Sequence, residues 1–180
     1  MRQFAIAAAL ALASALASAL PAAAEEIPGS NFKSGFWEGA AYTDDTGAFM
    51  ECSTWVGYQN GQTLWVRLLP NDTVSIYLNQ PDVTFKPGDT FELWVMMETG
   101  LPAIGTGDVW NESYAGITYN GIQPTVDFLN SGRYLRMLGM GIDEGFDVDG
   151  IAPALAMAQD CLAQRGGIGV GGKVLDAAPG

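Results

Sequence analysis

Leu64-Trp65-Val66-Arg67-Leu68-Leu69-Pro70-Asn71-Asp72-Thr73-Val74-Ser75-Ile76-Tyr77-Leu78 decides the fold class. Leu64, Val66 and Leu68 alternate with Trp65 and Arg67; Val74, Ile76 and Leu78 alternate with Ser75 and Tyr77. A period of two marks a strand with one buried face, and Pro70-Asn71-Asp72 supplies the turn between the two runs. Working outward, the same rhythm predicts strands near 35–42, 48–56, 62–69, 73–79 and 90–97. The breaks fall at Asp44-Asp45-Thr46-Gly47, Asn60-Gly61, Pro70-Asn71-Asp72 and Pro87-Gly88-Asp89, of which Asn60-Gly61 is the strongest hairpin cue. The Gly-rich stretch 102–120 predicts one or two irregular strands, 124–131 a short helix or turn, and 133–138 and 144–149 two more strands. Turn signals recurring every 8–12 residues or so predict a mainly β chain, an antiparallel sandwich or a partly open barrel.

One helix interrupts this pattern, over 151–164. Ile151, Leu155, Ala158 and Leu162 fall on one face of a 3.6-residue period. Asp149 or Gly150 can cap its start, Pro153 suits the first turn, and Arg165 with Gly166-Gly167 ends it. The chain has two cysteines, Cys52 and Cys161. In an oxidising compartment a disulfide between them would pin this helix to the second strand. The alternative, a reactive thiol pair, lacks the C-x-x-C spacing.

The compartment is read from the start of the chain. Arg2, an apolar run from Phe4 to Leu20, then Pro21 and Ala22-Ala23-Ala24 have the layout of an export signal over residues 1–24. The run is shorter than the ~20 residues of a membrane span. No transmembrane segment is expected once the signal is cut. Of the 180 residues, 20 are Asp or Glu and 8 are Lys or Arg, a net charge of −12; losing Arg2 with the signal makes it −13 on the remaining 156. Residues 25–33 are expected as a loose leader, 34–165 as one β-rich domain and 166–180 as a flexible Gly-rich tail.

Composition excludes several functions. With no histidine there is no Ser-His or Cys-His pair and no His-held metal; two cysteines cannot make a four-cysteine site. An acidic chain repels phosphate, so nucleic acid is not an expected partner. No cofactor, catalytic residue or metal ligand is assigned. Ser30-Asn31-Phe32-Lys33 matches S-x-x-K by chance, without S-D-N or K-T-G downstream. Asp44-Asp45 reads as a turn. Asp143, Glu144, Asp147 and Asp149 read either as a solvated acidic strand edge or as oxygen ligands for Ca²⁺, though no twelve-residue calcium loop fits them.

The candidate binding residues come from strand alternation. If Leu64, Val66, Leu68, Val74, Ile76, Leu78, Leu93 and Val95 face the core, then Trp65, Arg67, Tyr77 and Trp94 share the outer face of three neighbouring strands. These are the residue types that dominate binding hot spots, and flat rings also stack on sugars. The competing reading has this face covered by a second layer, such as the C-terminal helix.

The order of features adds a resemblance. Phe36-Trp37-Glu38-Gly39 is followed by a Cys52 strand, by Gly132-Arg133-Tyr134-Leu135, and by Phe146-Asp147-Val148-Asp149-Gly150 leading into an Ala/Leu helix with Cys161. This resembles small exported alphaproteobacterial proteins of the invasion-associated locus B-like type, with fewer cysteines and basic residues than that family often carries. The resemblance implies a β-rich envelope or host-surface protein and no particular chemistry. The expected function is a non-catalytic periplasmic or secreted binding protein whose partner is an envelope protein or glycan, a basic partner being favoured. Alternatives are an inhibitor of a cationic enzyme such as lysozyme and an Asp/Glu-dependent glycan-acting enzyme. The Ser-Gly-x-x-Tyr loop of lysozyme inhibitors is one residue out of step in Ser131-Gly132-Arg133-Tyr134.

Overall fold

A computed structural model describes residues 24–166 apart from Met140. The expected export signal lies outside the described residues except for Ala24, and the expected tail except for Gly166. The strands are β1 (Phe32–Ser34), β2 (Trp37–Thr43), β3 (Phe49–Gly57), β4 (Thr63–Leu69), β5 (Thr73–Asn79), β6 (Thr90–Met97), β7 (Ala103–Val109), β8 (Tyr114–Asn120), β9 (Tyr134–Gly139) and β10 (Ile142–Asp147). The helices are α1 (Ile122–Leu129) and α2 (Ile151–Gln164). All ten strands belong to one antiparallel sheet, in the order β1-β2-β3-β4-β5-β8-β7-β6-β9-β10. The sheet does not close between β1 and β10, so of the two expected architectures it corresponds to the partly open barrel. The sheet curls enough for its far parts to meet. Trp37 Nε1 donates to the Asp149 carbonyl at 3.0 Å, and the Tyr58 and Phe146 rings lie 5.3 Å apart.

Alternation places the core on the inner face. Leu64, Val66 and Leu68 of β4 pack with Val74, Ile76 and Leu78 of β5, with Leu93, Val95 and Met97 of β6, and with Leu135 and Met137 of β9. Helix α2 lies against β1–β4 and α1, and α1 against β5 and β8. The α2 stripe expected from sequence, Ile151, Leu155, Ala158 and Leu162, is buried. Gly150 starts α2 at φ 78° without a side-chain cap. Helix α1 takes its cap from a distant turn. Asp72 is held at φ 62°, and its Oδ1 accepts from the Ile122 N–H at 2.9 Å.

One expectation changes. Residues 25–33 are fastened along β2, because backbone pairing needs no apolar side chains. The Ile27 N–H donates to Ala41, the Thr43 N–H donates to Glu25, and Phe32 and Lys33 pair with Gly39 and Glu38. The hairpin at Asn60-Gly61 forms with positive φ at Gly61 alone, while Asn60 Oδ1 accepts from the Gln62 N–H at 3.1 Å.

Cys52 and Cys161 are joined in a disulfide between β3 and α2, across 109 positions of sequence. Chain-entropy reasoning sets a ceiling of about 4–5 kcal/mol for a loop of that size. The Cys52→Ala/Cys161→Ala variant should lose about 2–5 kcal/mol of unfolding free energy in urea titration. An unchanged midpoint would contradict this role for the crosslink.

Candidate functional site

The outer face of β3, β4 and β5 carries an aromatic layer set by strand register. Trp55, Trp65 and Tyr77 are successive partners across β3–β4–β5, and Gly116 and Asp108 continue the row on β8 and β7. Trp55 and Trp65 stack with centroids 4.5 Å apart at 20°. Tyr42 leans on both, at 6.3 Å and 6.1 Å. Tyr114 meets Trp65 edge-on at 6.2 Å, and its hydroxyl accepts from Trp65 Nε1 at 3.2 Å. Trp110 lies beside Tyr77 and Tyr114, at 5.5 Å and 5.7 Å. Ring pairs in such offset or tilted geometries each add about 0.5–1.5 kcal/mol beyond burial. Gly116 makes room in the row, since a Cβ there would fall 2.0 Å from the Ile76 carbonyl oxygen.

Beneath the rings lies an ion pair. Arg67 is 7% exposed and Glu51 is 2% exposed. Arg67 donates through Nε to Glu51 Oε2 at 2.7 Å and through Nη2 to the same oxygen. Ser53 Oγ donates to Glu51 Oε1 at 2.7 Å. The guanidinium lies 4.2 Å from the Trp110 centroid and 5.6 Å from that of Tyr77. Two of its five N–H donors are thus held by Glu51 and one flat side faces Trp110, which ties Arg67 into the scaffold of this face. Tyr77 donates to Asp108 Oδ2 at 2.9 Å. Burial first, then that bond, pushes its phenol up to about 12. Burial, with Glu26 and Glu51 nearby, raises Tyr42 to about 12.

The expected site residues are only partly brought together. Trp65, Arg67 and Tyr77 form one cluster, with Trp65 half-buried and the other two buried. Trp94 does not join them. It faces outward at 38% exposure, but β8 and β7 intervene between β5 and β6, so the three strands are not neighbours. Trp94 instead pairs with Ile104 and Leu138, and its Nε1 donates to Glu92 at 2.8 Å. Helix α2 packs on the inner face, so the layer over Arg67 is built from Trp110 and its aromatic neighbours. Trp110 itself is 38% exposed.

Glu51, Trp55, Trp110 and Tyr114 were not among the expected site residues. The first two were within reach, because a Cys52 turned toward α2 sends Glu51, Ser53 and Trp55 to the opposite face. Trp110, in the turn between β7 and β8, and Tyr114, at the start of β8, carry no local signal of where they pack.

Other candidates have structural partners. Ser30 Oγ donates to the Ile27 carbonyl at 2.7 Å while Lys33 pairs with Glu38 at 2.9 Å, so S-x-x-K forms no catalytic pair. Asp44 Oδ1 accepts from the Thr46 hydroxyl and from the Thr46 and Ala48 N–H groups; those bonds, the hydroxyl's first, hold its carboxyl below the usual range. Asp147 pairs with Arg133 at 2.9 Å and Asp143 with Arg136 at 2.5 Å. Among the described residues, no three His, Cys, Asp or Glu side chains are grouped to hold a metal.

Removing one member of a buried pair strands the other charge, at a cost of about 3–5 kcal/mol, whereas replacing both is often nearly neutral. Glu51→Ala should therefore destabilise by about that amount, and Glu51→Leu/Arg67→Met should recover most of the loss in urea unfolding. Equal losses in the single and double variants would contradict the pair.

No family model matches the sequence, and no curated protein matches it. The fold is similar to the crystal structure of invasion associated protein B from Bartonella henselae, with a TM-score of 0.49 and 14% identity. That similarity covers 75% of this chain and 97% of the other, and it is to the protein type that the sequence resembles.

Proposed function

We propose that this is a non-catalytic exported binding protein, periplasmic or secreted, that engages an envelope protein or glycan through its outer aromatic face. The observation that carries the reading is Trp110, over one-third exposed, set on a buried ion pair beside the half-buried Trp55–Trp65 stack. Core packing does not require it, since the inner face of the same strands already holds the apolar residues. Rigid rings at the surface lose little conformational freedom on binding, which suits both protein hot spots and sugar stacking. The acidic balance favours a basic partner in a salt-dependent way. Export is supported by the signal-like residues 1–24 and by a disulfide suited to an oxidising compartment.

The test uses the mature protein as bait on envelope extract and on purified peptidoglycan, at low and moderate salt. The wild type should capture a salt-sensitive partner, Trp55→Ala/Trp110→Ala should lose it while remaining folded, and Trp94→Ala should keep it. Equal capture by the wild type and the double variant would contradict the assignment of the face. Turnover of peptidoglycan would contradict a non-catalytic role.

A further inference from the structure

Strand β10 is the last in the sheet and pairs on one side with β9. Successive residues of a strand turn their N–H and C=O groups to opposite sides. The Val148 N–H donates to Arg133 at 2.8 Å, so Val148, Phe146 and Glu144 address β9 while Asp147, Gly145 and Asp143 address the open side. The Tyr58 hydroxyl, donating to the Asp147 carbonyl at 3.1 Å, agrees with that direction and closes one end of the edge. Beyond it, Asp143, Glu144 and Gly145 are all exposed. Among the described residues, the N–H groups of Asp143 and Gly145 make no hydrogen bond outside the sheet.

We propose that this open segment of β10 accepts an extended basic peptide as an added strand, independently of the aromatic face. Main-chain bonds to Asp143 and Gly145 would hold the peptide, and charge selects it. Asp143, Glu144 and Asp147 lie on the strand with Glu98 and Asp149 close by, against Arg133 and Arg136, which are already paired with Asp147 and Asp143. The edge is net acidic on a chain of net charge −12. A second copy would set like charges opposite one another, which disfavours self-pairing. Gly145 adds side-chain selectivity. It opens onto a surface depression of about 400 Å³ lined by Met96, Tyr134 and Arg136. A Cβ at Gly145 would meet nothing closer than the Leu135 carbonyl oxygen at 3.9 Å. An apolar side chain flanked by lysines on the added strand would reach that floor.

The probe is a fluorescent octapeptide of alternating Lys and Val, titrated against the disulfide-intact mature protein and followed by anisotropy and amide exchange. It should bind and slow exchange at Asp143 and Gly145 about tenfold or more. A Glu/Val peptide, and a Lys/Val peptide N-methylated at alternate residues, should each bind at least about tenfold more weakly. Gly145→Pro removes one donor at an edge position that tolerates proline, and should lose binding while keeping the disulfide and the fold. The proposal is overturned by absence of binding, by equal binding of the Glu/Val peptide, or by binding that leaves both amides unprotected. Concentration-dependent self-association that protects these amides without peptide would assign the edge to a second copy and overturn it too.

Discussion

Helix α2 lays Ile151, Leu155, Ala158 and Leu162 on the inner face of β1–β4, and Cys161 is bonded to Cys52 on that face. A β-strand offers its side chains to two faces only, so this packing assigns a role to every residue of the central strands. Leu64, Val66 and Leu68 become core, and Trp65 and Arg67 must be accommodated on the other side. The curl of the sheet follows from the same constraint. An inner face shared by two helices and the apolar sides of most strands goes with a curl that brings Trp37 to Asp149 and Tyr58 to Phe146.

The outer face solves the problem this creates. A buried guanidinium is costly unless its charge is paired. Glu51 takes two of its donors, Ser53 orients Glu51, and Trp110 covers the flat side at 4.2 Å. Charge, hydrogen bonds and ring geometry therefore fix one another, and the surface tryptophans sit on a rigid base. Preorganisation of that kind lowers the ordering cost of binding.

Much of this architecture is legible in the sequence because it rests on local periodicity. The 64–78 alternation, the 151–162 stripe and the Cys52–Cys161 link correspond to β4, β5, α2 and the disulfide. Sequence order hides the neighbours of each strand. Alternation tells which face Trp94 occupies but not that β8, arriving some forty residues after β5, takes the place beside it. Trp110 reaches Arg67 only through that non-local pairing. The polar segment 25–33 reads as loose because side-chain pattern is blind to backbone bonds such as Ile27 to Ala41. Glu51 and Trp55 were recoverable from the orientation of Cys52.

One sheet separates a helix-covered inner face from an accessible aromatic outer face. Hydroxyl-radical footprinting of the mature protein, resolved by mass spectrometry at the five tryptophans, addresses this separation directly. Trp94 and Trp110 should oxidise rapidly and Trp55 and Trp65 more slowly, with Trp37 protected until the protein unfolds. Protection of Trp110 to the level of Trp37, or oxidation of Trp37 as fast as Trp110, would contradict that separation.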